Sequence, residues 1–201
     1  SIGAHVNDAK KQVENAWQWS MLRQDDVVPV VAGQTVVELP DSFDNNYVIH
    51  RITVQDESGV NQGWLRWVAD DRLWYNNLGT VQQNVPAWYA SRYPAANGNQ
   101  VIEIFQPPNK AYNLIIHSWH NQDELTAAED ILKVPSLPVY SLATALASRE
   151  RGETGAINTS ELFSVAQSSL SDAIAYDSAR FPEELDWWSV DRLHNTNVRT
   201  A

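Results

Sequence analysis

Apolar residues recur at spacings of three and four from Val6 to Met21: Val6, Ala9, Val13, Ala16, Trp17 and Met21. That period predicts an amphipathic helix, with Lys10, Lys11, Glu14 and Asn15 on its other side and Asn7 or Asp8 as its cap. The pattern then changes. Asp26 to Pro40 holds two β-branched runs flanking Ala32-Gly33-Gln34, which predicts a hairpin with Gly33 in the tight turn. Pro29 puts the first of these strands at an edge or makes it irregular, because proline cannot donate to a ladder. Tyr47 to Asp56 alternates as a strand on Val48, Ile49, Ile52 and Val54, and Glu57-Ser58-Gly59 turns it. Leu65, Val68, Ala69, Leu73 and Leu78 give a broken helical period, predicting a short helix followed by a loop. Three more strands are predicted over Trp88–Tyr93, Gln100–Phe105 and Tyr112–His120. Asn97-Gly98 turns the first pair, and Gln106-Pro107-Pro108-Asn109-Lys110 separates the second.

Helical periodicity returns from Pro135. Val139, Leu142, Ala143, Leu146 and Ala147 share a face, and Arg149-Glu150-Arg151-Gly152 closes the helix with charge and a capping glycine. Asn158-Thr159-Ser160-Glu161 opens another, with Leu162, Val165, Ala166, Ser169, Ala173 and Tyr176 along one stripe, and Phe181-Pro182 ends it. The order predicts an α+β fold: a helical bundle formed by the N-terminal helix and the C-terminal helical pair, with an inserted antiparallel β lobe and an extended tail. The bundle takes residues 1–24 and 132–181, the lobe 25–131, and the tail 182–201.

Composition narrows what such a chain does. Of its 201 residues 43% are hydrophobic and 19% charged, which marks a globular protein. No apolar run approaches the roughly 20 residues that span a bilayer, and the first residues lack the pattern of a signal peptide. Without cysteine there is neither a disulfide nor a thiolate metal site. The net charge of −11 suits solubility and opposes any grip on phosphates. From Asn121 onward Asp and Glu outnumber Lys and Arg. Nine tryptophans are far more than ordinary usage, and large aromatics concentrate in cores and protein interfaces.

Candidate chemistry is sparse, and no catalytic, metal or cofactor-binding residue is assigned. His117 and His120, with Asp123 and Glu124 nearby, are the best metal candidates. Residues three apart on a strand point to opposite faces, so one ion cannot take both. The adjacent acids Asp70-Asp71, Glu129-Asp130 and Glu183-Glu184 have the type used in glycoside hydrolysis, yet such pairs usually sit solvated on a surface. No Gly-x-Ser-x-Gly elbow or phosphate-binding glycine loop occurs. Trp64, Trp67, Trp74 and Tyr75 admit two uses: stacking on sugars in a carbohydrate- or host-surface-binding module, or burial in subunit and tail interfaces. The interface use is favoured.

The opening Val6-Asn7-Asp8-Ala9-Lys10-Lys11-Gln12-Val13-Glu14-Asn15-Ala16-Trp17-Gln18-Trp19 resembles the first helix of phage head-to-tail adaptors, including the tail tubular A type of short-tailed phages. Val31-Ala32-Gly33-Gln34 with Val37-Glu38-Leu39-Pro40 is similar to that family's hairpin. Val85-Pro86-Ala87-Trp88-Tyr89 is similar to its strand entry. Ile104-Phe105-Gln106-Pro107-Pro108 with Tyr112-Asn113-Leu114 is similar to its following strand pair, and Leu132 to Leu146 to its late helix. The family's usual tyrosine after the turn is Val36 or Val37 here. The resemblance spans roughly residues 5 to 180.

It implies a helical bundle with an inserted β lobe, a dodecameric ring under the portal, and a tail nozzle or tube held at the other end. Tail fibres attach at the side, and genomic DNA passes through the centre without specific binding. It also implies a non-enzymatic virion protein of the neck, made in the host cytoplasm, with no cofactor and no membrane partner. Two hypotheses follow. The helical pair lines or abuts the channel, and Leu185, Trp187, Trp188, Val190 and Leu193 belong to an arm that docks on the portal.

Overall fold

A computed structural model describes residues 2–43, 47–69, 82–127, 129–150 and 156–180. The chain divides into two compact units. One takes Ser1–Ser20 and Glu124–Ala201, the other Met21–Asp123.

The second unit is a seven-stranded sheet. Its strands are β1 (Arg23–Val30), β2 (Val36–Glu38), β3 (Tyr47–Asp56), β4 (Asn61–Trp67), β5 (Trp88–Arg92), β6 (Val101–Phe105) and β7 (Tyr112–His120). They lie in the order β1-β7-β3-β4-β5-β6-β2. Alternation is clearest on β7, where Tyr112, Leu114 and Ile116 are buried and Asn113, Ile115 and His117 are only partly covered. The inward residues of all seven strands meet in one core. Val28, Val30, Val37, Ile52, Val54, Leu65, Tyr89, Ile102, Ile104, Tyr112, Leu114 and Ile116 form it, with Leu39 and Phe43 from the connections. Burial of each large aliphatic here is worth about 1.5–3 kcal/mol, which makes this cluster the main source of cohesion in the unit.

Three expectations for this unit fail. The runs around Ala32-Gly33-Gln34 are not a hairpin. β1 pairs with β7 and β2 with β6, at opposite ends of the strand order. Gly33 does make a turn, with φ +78° and Gln34 N–H donating to Val31 C=O at 3.1 Å. Its own N–H, however, donates to Pro108 C=O at 2.8 Å, tying the turn to the β6–β7 connection. Leu65 to Trp67 are strand, not helix: Leu65 lies opposite Ile52 and fills the core. The rest of that expected helix and loop, 70–78, lies outside the described residues. The sheet is also mixed rather than antiparallel, since β4 and β5 run parallel through Arg66↔Trp88 and Trp67↔Tyr89. A parallel pair needs a long crossover, and the stretch from Val68 to Ala87 supplies the length.

Other readings hold. β3 and β7 have the expected bounds. Pro29 lies on a strand at the end of the order. Asn97-Gly98 turns β5 into β6, with Gly98 at φ +92° and its N–H bonded to Ala95 C=O.

The first unit holds three described helices: α1 (Ile2–Ala16), α2 (Ser136–Glu150) and α3 (Ala156–Arg180). α1 packs on α2 and α2 on α3. The expected helical bundle is not the architecture of this protein; the fold is largely β, with a helix pair toward the C-terminus. Side-chain size explains the difference. Among the described residues the buried apolar side chains on these helices are Ala9, Val13, Pro138, Val139, Ala143, Ala145 and Ala166, too small to fill a bundle core. Leu142, Leu146 and Leu162 are only partly covered, and Val165 and Tyr176, placed on the expected stripe of α3, are exposed.

α1 also starts and stops earlier than its periodicity suggests. It begins at Ile2, so Asn7 and Asp8 are interior rather than caps. Its end has a local cause. The fully buried indole of Trp19 donates to Val13 C=O at 2.7 Å, satisfying one of the last-turn carbonyls and turning the chain away. A 3₁₀ turn, Ser20–Leu22, follows, and Met21 is exposed there.

Candidate interaction surfaces

Each unit presents a surface built by its own registers. On the sheet, residues paired across strands share a face. Opposite the core stand Arg23 and Trp119 with Val48. Next come Asp25, His117, Arg51, Arg66 and Trp88, and then Val27, Ile115, Thr53 and Trp64. A bulge between Ile49 and Arg51 puts His50 on this face too, where its ring meets Trp119 edge-on at 5.0 Å.

Three arginines of this face lie over three of its tryptophans. Arg23 stands 5.1 Å from the Trp119 ring, Arg51 6.0 Å from Trp64 and Arg66 5.6 Å from Trp88. Such contacts are worth about 0.5–1 kcal/mol each at exposed sites. A guanidinium over an indole can still donate through its N–H groups, because the ring face makes no hydrogen bond to them. Sugar stacking needs open indole faces, and these three carry a guanidinium instead. The Trp119 indole N–H is buried without a hydrogen-bond partner.

The histidines separate as their spacing predicts. His117 reaches Asp25 at 2.7 Å through Nδ1 and Thr53 at 3.1 Å through Nε2. His120, on the opposite face, bonds Ser118 at 2.8 Å and Ser42 C=O at 2.9 Å and packs on Phe43. Among the described residues no cluster of three His, Cys, Asp or Glu has the geometry to hold a metal.

The interface residues inferred from the sequence fall unevenly. Trp64 lies half-buried under Arg51, whereas Trp67, three positions on, is 64% exposed at the end of β4. They point to different faces and do not form one patch. Trp74 and Tyr75 lie outside the described residues, as do Leu185, Trp187, Trp188, Val190 and Leu193. Sequence reasoning missed Arg23, Arg66, Trp88 and Trp119 as a set, because only the register brings them together. The nearest local signal was Trp64-Leu65-Arg66-Trp67.

In the helical unit, polar residues do the fixing. Asp177 on α3 is buried. It accepts from Trp17 Nε1 at 3.1 Å, from Ser20 N–H at 3.1 Å and from Ser20 Oγ at 2.6 Å. Lys10 and Glu14 form a fully buried ion pair one turn apart on α1, at 3.2 Å. The Asn7 side-chain amide pairs with both backbone groups of Leu125, and Lys11 meets Glu124 at 2.6 Å. The Lys11 ammonium holds the Glu124 carboxyl below the usual range. Asp130 is likewise lowered, by the Ala127 and Thr126 N–H groups that it accepts. A carboxyl lowered in this way is a poor general acid.

α2 carries no charge from Ser136 to Ser148, yet Leu137 and Tyr140 are 63% and 73% exposed. Exposed Leu and Tyr on an uncharged helix side are side chains of the type that partner chains cover. α3 exposes a stripe of different character: Glu161, Val165, Ser168, Asp172 and Tyr176.

The family model described as SU10 adaptor protein matches residues 2–187 of this chain, which takes in every described residue. No curated protein matches it.

Proposed function

The chain belongs to the SU10 adaptor protein family, and from that premise we propose that this phage adaptor, a structural protein of the virion neck, joins the portal to the tail as a ring. The match over nearly the whole chain carries the reading. The ring is a dodecamer, one end docks on the portal, and the other holds the tail nozzle or tube. Genomic DNA passes through the centre during ejection without specific binding.

Two physical features support it. A conduit works best when it does not bind its cargo, and a chain of net charge −11 repels DNA. A ring subunit needs two different side surfaces. The exposed stripe of α3 and the Arg–Trp sheet face are two such surfaces, different in chemistry. The arm containing Leu185, Trp187, Trp188, Val190 and Leu193 docks on the portal in this reading, and the aromatics Trp64, Trp67, Trp74 and Tyr75 serve subunit and tail contacts. The role is mechanical, with no reaction assigned.

Native mass measurement of the full chain, alone and with the portal of the same phage, tests the proposal. The expected result is a ring of twelve copies on the portal. A chain that stays monomeric and never joins the portal overturns it.

A further inference from the structure

Four charged side chains, all exposed, lie on two surfaces of opposite sign. Arg23 and Arg66 are on the outer sheet face; Glu161 and Asp172 are on the outer stripe of α3. Among the described residues none of the four has an ion-pair partner, although Arg23 and Arg66 each rest on an indole.

The two spacings match. Arg66 lies three strands from Arg23 and two residues further along, since Arg23 pairs with Trp119 while Arg66 shares a row with Arg51 and His117. At about 4.8 Å per strand and 3.4 Å per residue, that is roughly 16 Å. Glu161 and Asp172 are eleven residues apart on one helix, again about 16 Å at 1.5 Å per residue. Between them the helix presents Val165, 59% exposed. Between the arginines the sheet presents Val48, 53% exposed, beside the buried ring of Trp119. On β1, β7, β3 and β4 the one acid on this face among the described residues, Asp25, is already engaged by His117.

We infer that the Arg–Trp sheet face of one copy receives the α3 stripe of a second copy. The arginines take Glu161 and Asp172, and Val165 settles near Val48 and Trp119. The contact is heterologous, so each copy uses both surfaces and the contacts propagate round a ring. The inference deepens the ring reading above and rests on it. A guanidinium that rests over an indole still has N–H donors to offer a carboxylate, which suits such a contact.

Charge reversal and crosslinking test it in the full chain with its portal. R23E/R66E, and separately E161R/D172R, are expected to raise the concentration needed for ring formation by about a hundredfold, because like charges then face each other. The fourfold swap R23E/R66E/E161R/D172R is expected to recover assembly. Since the chain has no cysteine, V48C/V165C is expected to give a ladder of disulfide-linked oligomers on oxidation. An equimolar mixture of the single variants V48C and V165C is expected to stop at dimers. Rings that form normally in the reversed variants, or assembled V48C/V165C rings that stay uncrosslinked, overturn the inference and leave the ring reading intact. Wild-type chain that forms no ring on the portal overturns both. Should a reversed variant lose its fold, judged by its melting curve, the crosslinking result decides.

Discussion

Asp177 makes the sharpest test of how the helical unit is held together. Its carboxylate is the shared acceptor for the Trp17 indole and for both the backbone and hydroxyl of Ser20, just where the chain leaves this unit. A hydrogen bond to a charged group contributes about 1.5–3 kcal/mol when its loss strands the partner. Trp17 and Ser20 are only partly covered, so water recovers part of each bond once the carboxylate is gone. We therefore expect Asp177→Ala to cost about 2–4 kcal/mol. At about 2–4 °C per kcal/mol for a chain of this length, 3 kcal/mol lowers the melting temperature by about 6–12 °C. Asp177→Asn keeps an acceptor oxygen and should lose roughly half as much. Thermal denaturation followed by circular dichroism gives the shift. Hydrogen exchange at the Ser20 amide reports the local bond and should speed up in both variants. An Asp177→Ala protein that melts within about 2 °C of wild type, with Ser20 still protected, would refute the reasoning.

The buried Lys10–Glu14 pair predicts an asymmetry: Lys10→Ala or Glu14→Ala alone should cost about 3–5 kcal/mol, whereas Lys10→Met with Glu14→Met should cost far less. Melting curves of the three variants decide it. Acid stability follows from Asp56 and Asp130. Asp56 is held low by the Ser58 hydroxyl, then by the Val60 N–H, against the opposing effect of burial; Asp130 is held low by the Ala127 and Thr126 N–H groups. Their folded pKa values lie below the unfolded ones, so their stabilisation is full above the ordinary carboxylate range near pH 4 and is lost as pH falls through the lowered values. The melting temperature should therefore drop below about pH 4, and less steeply in Asp56→Asn. Gly33→Ala should destabilise more than Gly98→Ala. Both have positive φ, but a Cβ at Gly33 comes within 3.3 Å of Gln83, whereas at Gly98 it meets open space. The conformational cost alone is about 1–2 kcal/mol, and urea titration of each separates the crowding.

Much of the local structure was legible in the chain. Tyr47 to Asp56 and Tyr112 to His120 alternate apolar and polar residues between turn formers, and both became strands with those bounds. α3 was legible from its spacing of three and four. Legibility failed where long-range contacts outweigh local preference. Trp64-Leu65-Arg66-Trp67 carries no local signal that separates strand from helix, and its pairing with β3 made it strand. Trp17 reads as the next turn of α1, and the Trp19 bond to Val13 C=O ended the helix before it.

The interaction surfaces show the same division. Composition announced an acidic, tryptophan-rich chain, and ordered motifs pointed to a phage adaptor, because residue type and spacing are properties of the chain alone. Side-chain period says that Arg23 and Trp119 each point away from a core, but not that they are neighbours. That required β1 to leave the expected hairpin and pair with β7, and β4 to run parallel to β5. Pairing is a choice among distant partners, made by the total apolar area that the sheet buries. The Arg–Trp face came into being with that choice, as did the opposition in charge between it and the outer stripe of α3.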